Sequence, residues 1–383
     1  MILGIDASNI KSGGGVTHIK ELLANAKPEE SSFRKVFIWA SQKTLDQIPN
    51  MTWLEKVIVP NVDRGRLKRW YWQKYELSDI ARKKGCSILF IPGSSFSGDF
   101  RPFVTMSQNL LPFEWKELMR YGFSFQALRL MLLYFFQGLT FRKSQGIIFL
   151  TNYAKDTILT KLSIQNKKNI IVSHGIHERF FSPPKEQQLF LKNEKTPIKL
   201  LYVSFIGEYK HQWNVIEAVS NLRKQGYSLR LDLVGGLTEK NAKKKLFASI
   251  QKFDPRSEFV FLHTDVPYDT ISEYYKNSDL FVFASTCENL PNILIEAMAA
   301  SLPIVSSEFG PMPEVMGDAG LYCNPLDVDD ISEKLKKMID SKEIREKFSK
   351  DAFRKAHEYS WNRNAKLTFD FFKAEVNTYQ NEG

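Results

Sequence analysis

Residues 198–234 read IKLLYVSFIGEYKHQWNVIEAVSNLRKQGYSLRLDLV. Two apolar runs, Ile198 to Ser204 and Ser228 to Val234, read as strands, and Gln212 to Gly226 between them reads as a helix. A strand, a helical crossover and a second strand form the repeating unit of a parallel sheet. The alternation continues toward the C-terminus. Helices are expected over Lys240 to Phe253, Thr270 to Lys276 and Asn292 to Ala300, and strands over Glu258 to Leu262, Leu280 to Ala284 and Pro303 to Ser306. Before residue 198 the polar stretch Pro183 to Lys195 reads as a linker, and the first half shows the same alternation. Strand-like runs fall at 1–6, 35–40, 57–60, 87–92, 102–107, 146–150 and 169–172, with Val16 to Ala26 helical. The fold class predicted is α/β, two doubly wound parallel sheets with helices on both faces. In such folds ligands lie beyond the carboxyl ends of the strands, which points to a cleft between the halves.

At 383 residues the chain is too long for one ordinary core, in keeping with two domains. Hydrophobic residues make up 43% and charged residues 25%, the balance of a folded soluble protein. Cys86, Cys287 and Cys323 are far apart and odd in number, without the spacing of a zinc site or disulfide framework, and point to a reducing cytosol. The start, MILGIDASN, has an acidic residue at position 6 and no basic segment, so it reads as a buried strand and not as a signal peptide.

A net charge of +10 requires an anionic partner: nucleic acid, a lipid surface or a phosphorylated substrate. Much of the basic and aromatic character sits in Arg64-Gly-Arg-Leu-Lys-Arg-Trp-Tyr-Trp-Gln-Lys-Tyr75. This is either a solvated helix with its aromatic face in the core or a membrane-surface helix. Phe123 to Leu139 is rich in Leu, Met and Phe but is interrupted by Gln126, Arg129 and Gln137. A transmembrane span of roughly 20 apolar residues does not accommodate these interruptions, leaving a core or an interfacial helix. Nucleic acid is not expected, because no recognition motif accompanies the basic residues.

Three motifs carry chemistry. In Thr286-Cys-Glu-Asn-Leu-Pro-Asn-Ile-Leu-Ile-Glu-Ala-Met-Ala-Ala300, Pro291 suits the first turn of a helix and leaves Glu288 in the loop before it. Glu296 then falls about one turn inside a helix of Ile, Leu, Ala and Met, where a carboxylate is costly unless hydrogen-bonded. A ribose diol is a bidentate match for it, and backbone amides around Asn289, Leu290, Pro291 and Asn292 suit sugar hydroxyls or phosphate. The alternative makes Glu296 a surface residue and Glu288 a helix cap. In Tyr202-Val-Ser-Phe-Ile-Gly-Glu-Tyr-Lys-His-Gln212, Lys210 follows a strand and precedes a helix, a place for a phosphate-binding or a solvated lysine. Gly13-Gly14-Gly15, between the first strand and its helix, fits a flexible turn as well as a loop that approaches a ligand closely.

The second half resembles retaining glycosyltransferases of the fourth sequence family (glycosyl transferases group 1), which have the GT-B fold. The resemblance rests on the Glu-x7-Glu pair Glu288 and Glu296, set between Ser278-Asp-Leu-Phe-Val-Phe-Ala-Ser and Pro313-Glu-Val-Met-Gly-Asp-Ala-Gly320. Ala297-Met-Ala-Ala-Ser-Leu-Pro303 is similar to the family's Ala-Met-Ala-x-Gly-x-Pro, with Ser301 for Gly. Ser173-His-Gly-Ile176 resembles the close of the N-terminal domain, and Ser360-Trp361 the start of the final helix. The resemblance implies an acceptor-binding domain over 1–182, a sugar-nucleotide domain over 196–360 and a final helix, 361–383, packing back on the first domain. It implies catalytic roles for Glu288, Lys210 and Gln108. It places Glu296 on the ribose, Lys210 on the diphosphate, and Asn289, Leu290, Pro291, Asn292, Gly14, Gly15, Ser204, His211 and Val266 around the donor. The family's usual Arg before the Lys is replaced by Phe205, so leaving-group charge would rest more on Lys210, backbone amides and His211. A loop His common in the family is absent, and Gln108 and Asn109 stand there; Gln hydrogen-bonds a hydroxyl but is no acid or base near neutral pH.

The activity implied is retaining transfer of a hexose (mannose-, rhamnose- or glucose-type) from a nucleotide-diphosphate sugar to a glycan or polyprenyl-linked acceptor, at a cytoplasmic site with peripheral contact to an anionic inner membrane face. No cofactor is expected and no metal required. Two rivals are a sugar-nucleotide epimerase, separable by product formation without acceptor, and a non-catalytic sugar-nucleotide or lipid-binding glycan-assembly protein, separable by tight nucleotide binding without transfer.

Overall fold

The computed structural model describes residues 1–11, 13–60 and 65–382. Arg64, the first residue of the basic aromatic segment, and Ser12 of the glycine-rich loop lie outside the described residues, as does Gly383. The chain divides into two compact units. The first contains residues 1–118, 122–175 and 360–383; the second contains 176–359 with 119–121.

The first unit is built on a seven-stranded sheet: β1 (Ile2–Asp6), β2 (Lys35–Ala40), β3 (Leu54–Ile58), β4 (Ile88–Ile91), β5 (Phe103–Met106), β6 (Gly146–Phe149) and β7 (Lys168–Ile171). Their order is β3-β2-β1-β4-β5-β6-β7, and every pairing is parallel. The central strands are buried end to end, so their near-continuous apolar runs pack helices on both faces. The helix Trp361–Glu382 belongs to this unit and seals one face: Phe372 lies 4.9 Å from Phe90 and Phe369 lies 5.9 Å from Phe33. Ser31 also donates to Asp370 at 2.7 Å. Gly146 admits this helix, because a Cβ there would meet the Phe371 ring at 2.5 Å.

The second unit has six parallel strands: β8 (Ile198–Val203), β9 (Leu229–Val234), β10 (Val260–His263), β11 (Leu280–Phe283), β12 (Ile304–Ser307) and β13 (Leu321–Cys323). Their order is β10-β9-β8-β11-β12-β13. The polar stretch 183–195, expected to link the domains, lies inside this unit, as do residues 176–182; the break falls after Gly175. The stretch is anchored there through the backbone, with Asn193 donating to Gly226 and the Gln188 carbonyl accepting from Arg345. In each sheet the strand order reverses once, between β1 and β4 and between β8 and β11, with all strands parallel, and the loops following those strands flank the places where such folds hold ligands.

Candidate functional site

In the second unit the loop after β8 carries Ser204 to His211, and the loop after β11 carries Ala284 to Pro291. The two loops are joined by the Thr286 amide donating to the Tyr209 carbonyl at 2.9 Å. Gly235 makes room for the first of them: at φ +147°, a Cβ would lie 2.1 Å from the Ser204 carbonyl. Lys210 Nζ donates to Glu288 Oε1, so the two residues form one ion pair across the adjacent loops where the strand order reverses. Lys210 is 3% exposed, and its ammonium lies 5.1 to 5.3 Å from the Tyr209, Phe205 and Phe283 ring centres. The aromatic residue at 205, where a second cation was expected from the resemblance, is therefore part of the cage around the one lysine. The Lys210 carbonyl is fixed by the Tyr202 hydroxyl.

His211 opens the helix Gln212–Lys224 with a left-handed backbone, φ 48°. Its Nε2 pairs with Thr286 Oγ1 at 3.1 Å, and it is 2% exposed. Burial pushes its pKa down to about 3. The expectation that His211 shares the leaving-group charge is corrected: the ring is neutral at physiological pH. Ser204 is also spent locally, its hydroxyl donating to the Phe205 carbonyl at 2.9 Å. Val266 is half-buried in the loop after β10.

The helix carrying the second carboxylate runs Asn292–Ala299, with Pro291 just before it as N-cap and not in its first turn. The Asn292 amide bonds the Leu290 carbonyl at 3.0 Å, which removes it from the amides expected to meet a ligand. Asn289, Leu290 and Pro291 are buried beside it. Glu296 is 3% exposed, which excludes the surface alternative. Its carboxylate accepts from Tyr275 at 2.8 Å and Tyr268 at 3.1 Å, and burial raises its pKa to about 7. Neither tyrosine stood out in the sequence; they come from a segment 21 and 28 positions upstream, joined to Glu296 only by the fold.

In the first unit the helix Gly14–Ala24 starts at Gly13, φ 66°, with no side-chain cap. A Cβ on Gly14 would meet nothing within 4 Å, whereas one on Gly15 would lie 3.3 Å from Gln108 Oε1, so Gly15 and Gln108 are neighbours. Gln108 is half-buried, with its amide 3.5 Å from the Met106 sulfur. His18, four residues into this helix, faces inward. It stacks on His174 at 4.8 Å, and burial holds it well below its ordinary pKa. At the end of β1, Asp6 accepts from the Ser8 amide at 3.0 Å and from Gln73 at 2.5 Å. Gln73 begins a π-helical turn, Gln73–Leu77, inside an otherwise α-helical run. The extra residue in such a turn alters the phase of the helix, and such turns recur at functional sites. Among the described residues no group of three His, Cys, Asp or Glu side chains is placed to hold a metal ion.

Comparisons with known proteins bear on this geometry. Residues 185–355 match the family described as glycosyl transferases group 1. The chain is 27% identical over 210 residues to the sulfoquinovosyl transferase SQD2 of Arabidopsis thaliana, an alignment covering 54% of this chain and 38% of that protein. It is 32% identical over 108 residues to the O-antigen chain mannosyltransferase B of Escherichia coli, covering 28% of each. The chain thus spans well under half the length of these two relatives. The crystal structure of Anabaena HepE in complex with UDP-glucose superposes with a TM-score of 0.70 at 15% identity, covering 99% of this chain and 100% of that one. With the Glu-x7-Glu pair in place where the strand order of the second of two parallel sheets reverses, residues 185–355 are similar to the glycosyl transferases group 1 family and the chain has the GT-B fold.

Proposed function

We propose that the chain is a retaining glycosyltransferase that moves a hexose from a nucleoside-diphosphate sugar to a growing, lipid-linked cell-surface glycan. The observation that carries this reading is the Lys210–Glu288 ion pair in the loops after β8 and β11, with Glu296 about one turn inside the helix that follows. Breaking the anomeric bond develops positive charge on the sugar and negative charge on the departing diphosphate, so catalysis is chiefly electrostatic. Lys210 and backbone amides face the diphosphate, Glu288 faces the sugar, and Glu296 takes the ribose diol. The buried carboxylate suits two adjacent hydroxyl donors, the E. coli relative is named a mannosyltransferase, and the HepE crystal holds UDP-glucose. The acceptor attacks on the face the diphosphate leaves, and the leaving phosphate takes its proton. Gly14 and Gly15 approach donor or acceptor, and Gln108 hydrogen-bonds a sugar hydroxyl.

A second observation favours a lipid-linked acceptor. The helix Phe125–Lys143 buries Ala127, Leu130 and Phe141 and exposes Phe125, Leu128, Leu132, Phe135, Phe136 and Leu139. The helix Arg66–Trp72 buries Trp72 but exposes Leu67, Trp70 and Tyr71. Neither expected alternative for the aromatic face holds alone: it is divided between core and solvent. One short segment ties the two helices together, with Ser97 donating to the Trp70 carbonyl and the Phe96 amide donating to Thr140. Exposed apolar residues interspersed with Lys68, Lys74, Arg129, Arg142 and Lys143 suit an anionic lipid surface. No described helix is long and apolar enough to cross a membrane.

The test is a thermal-shift panel of nucleotide sugars, followed by transfer to a polyprenyl-diphosphate glycan with the stabilising donor, in EDTA. Glu288→Gln is expected to keep nucleotide binding and lose transfer, and the wild-type product is expected to retain the donor's anomeric configuration. Full turnover by Glu288→Gln, or an inverted product, overturns the assignment.

A further inference from the structure

The carboxylate assigned to the ribose is closed off. Glu296 is 3% exposed, and each of its oxygens already accepts from a phenol. The two phenols differ in kind. Tyr275 is fully buried, and its hydroxyl also lies 3.2 Å from the Ile293 carbonyl, so it is part of the core that supports Glu296 from below. Tyr268 sits in the single turn Tyr268–Thr270 and is 45% exposed. Little more than that turn must shift to uncover Glu296 Oε1. Tyr268 is held by a small latch: the Arg179 guanidinium lies 4.4 Å from its ring centre and pairs with the next residue, Asp269, at 2.6 Å. Phe180 supports the ring from 6.0 Å. A diol that engages both carboxylate oxygens meets the Tyr268 hydroxyl at one of them.

We infer that Tyr268 is a specificity-determining lid over Glu296, its phenol standing in for one ribose hydroxyl until a ribonucleotide displaces it. This rests on the assignment of Glu296 to the ribose. The lid gives the empty site a satisfied carboxylate, and it sets a condition for entry: a ligand must return the hydrogen bond it removes. A ribose diol does so; a sugar without both hydroxyls leaves the phenol in place and gains nothing from the carboxylate. Tyr268 is thereby a positioning residue for selection of ribonucleotides, and Arg179 and Asp269 set how firmly it is closed.

Isothermal titration of the full chain with UDP and with 2′,3′-dideoxy-UDP at pH 8.5, where Glu296 is ionised, separates the possibilities. Tyr268→Phe removes the competing hydroxyl and is expected to tighten UDP at least about tenfold, the lower end of the scale of one displaced hydrogen bond to a charged group. The dideoxy analogue is expected to change by less than about twofold, since it does not need the carboxylate. Asp269→Asn, at an exposed position, loosens the latch and is expected to tighten UDP modestly without affecting the analogue. Equal changes for both ligands, or weaker UDP binding in Tyr268→Phe, overturn the lid. Binding of UDP to wild type that is unaltered by Glu296→Gln instead overturns the ribose assignment, and the lid with it.

Discussion

Glu296→Gln is expected to stabilise the unliganded protein at pH 8 while destroying its affinity for nucleotide. Burial raises this carboxyl from 4.5 to about 7. Between those values the folded chain holds a proton that the unfolded chain has released, so stability falls as pH rises through this window. The penalty is absent below 4.5, grows between 4.5 and 7, and is complete above 7. At about 1.4 kcal/mol for each pH unit of separation, it reaches roughly 3 kcal/mol at pH 8. The amide keeps the shape and an acceptor for one tyrosine, but its own hydrogens lack the carboxylate's two-fold acceptance, a loss of about 1 kcal/mol. The net gain at pH 8 is therefore about 2 kcal/mol, or an upward shift of roughly 5 °C for a unit of this size. Near pH 5 the order reverses, and the variant is slightly the less stable. Thermal melts of both proteins from pH 5 to pH 8, following the transition of the second unit, measure the difference. A difference that is the same at every pH refutes the reasoning, because it leaves Glu296 titrating as an ordinary carboxyl and its burial without consequence.

Lys210→Met leaves Glu288 without its cation in a mostly buried place and is expected to lower stability by about 3 kcal/mol. Adding Glu288→Gln should restore most of that, and additive losses in the double-variant cycle would show that the pair is not coupled. Neither variant is expected to transfer sugar. For the proposed membrane-facing surface, Lys68→Gln with Lys74→Gln is expected to weaken binding to vesicles containing phosphatidylglycerol by roughly 30-fold, at about 1 kcal/mol for each cation near the surface. Vesicles of phosphatidylcholine alone should bind wild type and variant equally weakly, and unchanged flotation on the anionic vesicles counts against the surface.

The parallel sheets were legible because the central strands, such as Ile88–Ile91 and Leu280–Phe283, are apolar along their length and alternate with helical patterns. Glu296 was legible for a related reason: a carboxylate placed between Ile295 and Ala297 in an apolar helix has to find donors. Which donors it finds was not legible. Tyr268 and Tyr275 are ordinary aromatics in their own segment, and only the order β10-β9-β8-β11 carries that segment to the helix Asn292–Ala299. Gln73 was hidden differently, because the π-helical turn that begins with it breaks the 3.6-residue period on which a reading of helix faces depends. The Phe125–Lys143 helix resisted assignment because apolar residues lie on both its buried and its exposed sides, so periodicity could not separate core from interface.

Phe205 shows how a departure from a family pattern can be compensated without a substitute charge. An arginine at this position would bring a second cation beside Lys210; the phenylalanine brings a ring that excludes water from the first. Of the three rings around the Lys210 ammonium, two come from its own loop and one, Phe283, from the end of β11. Within this cage the charge is directed toward Glu288, and in a site of low polarity the attraction is far stronger than in water. On the function proposed above, a diphosphate reaching Lys210 would compete with Glu288 for that one ammonium. As the phosphate took the cation, Glu288 would be released toward the sugar, where positive charge would develop. Neutral His211 adds nothing to the balance. On that proposal one lysine would couple arrival of the leaving group to exposure of the carboxylate, a coupling that a second, permanent cation in place of Phe205 would weaken.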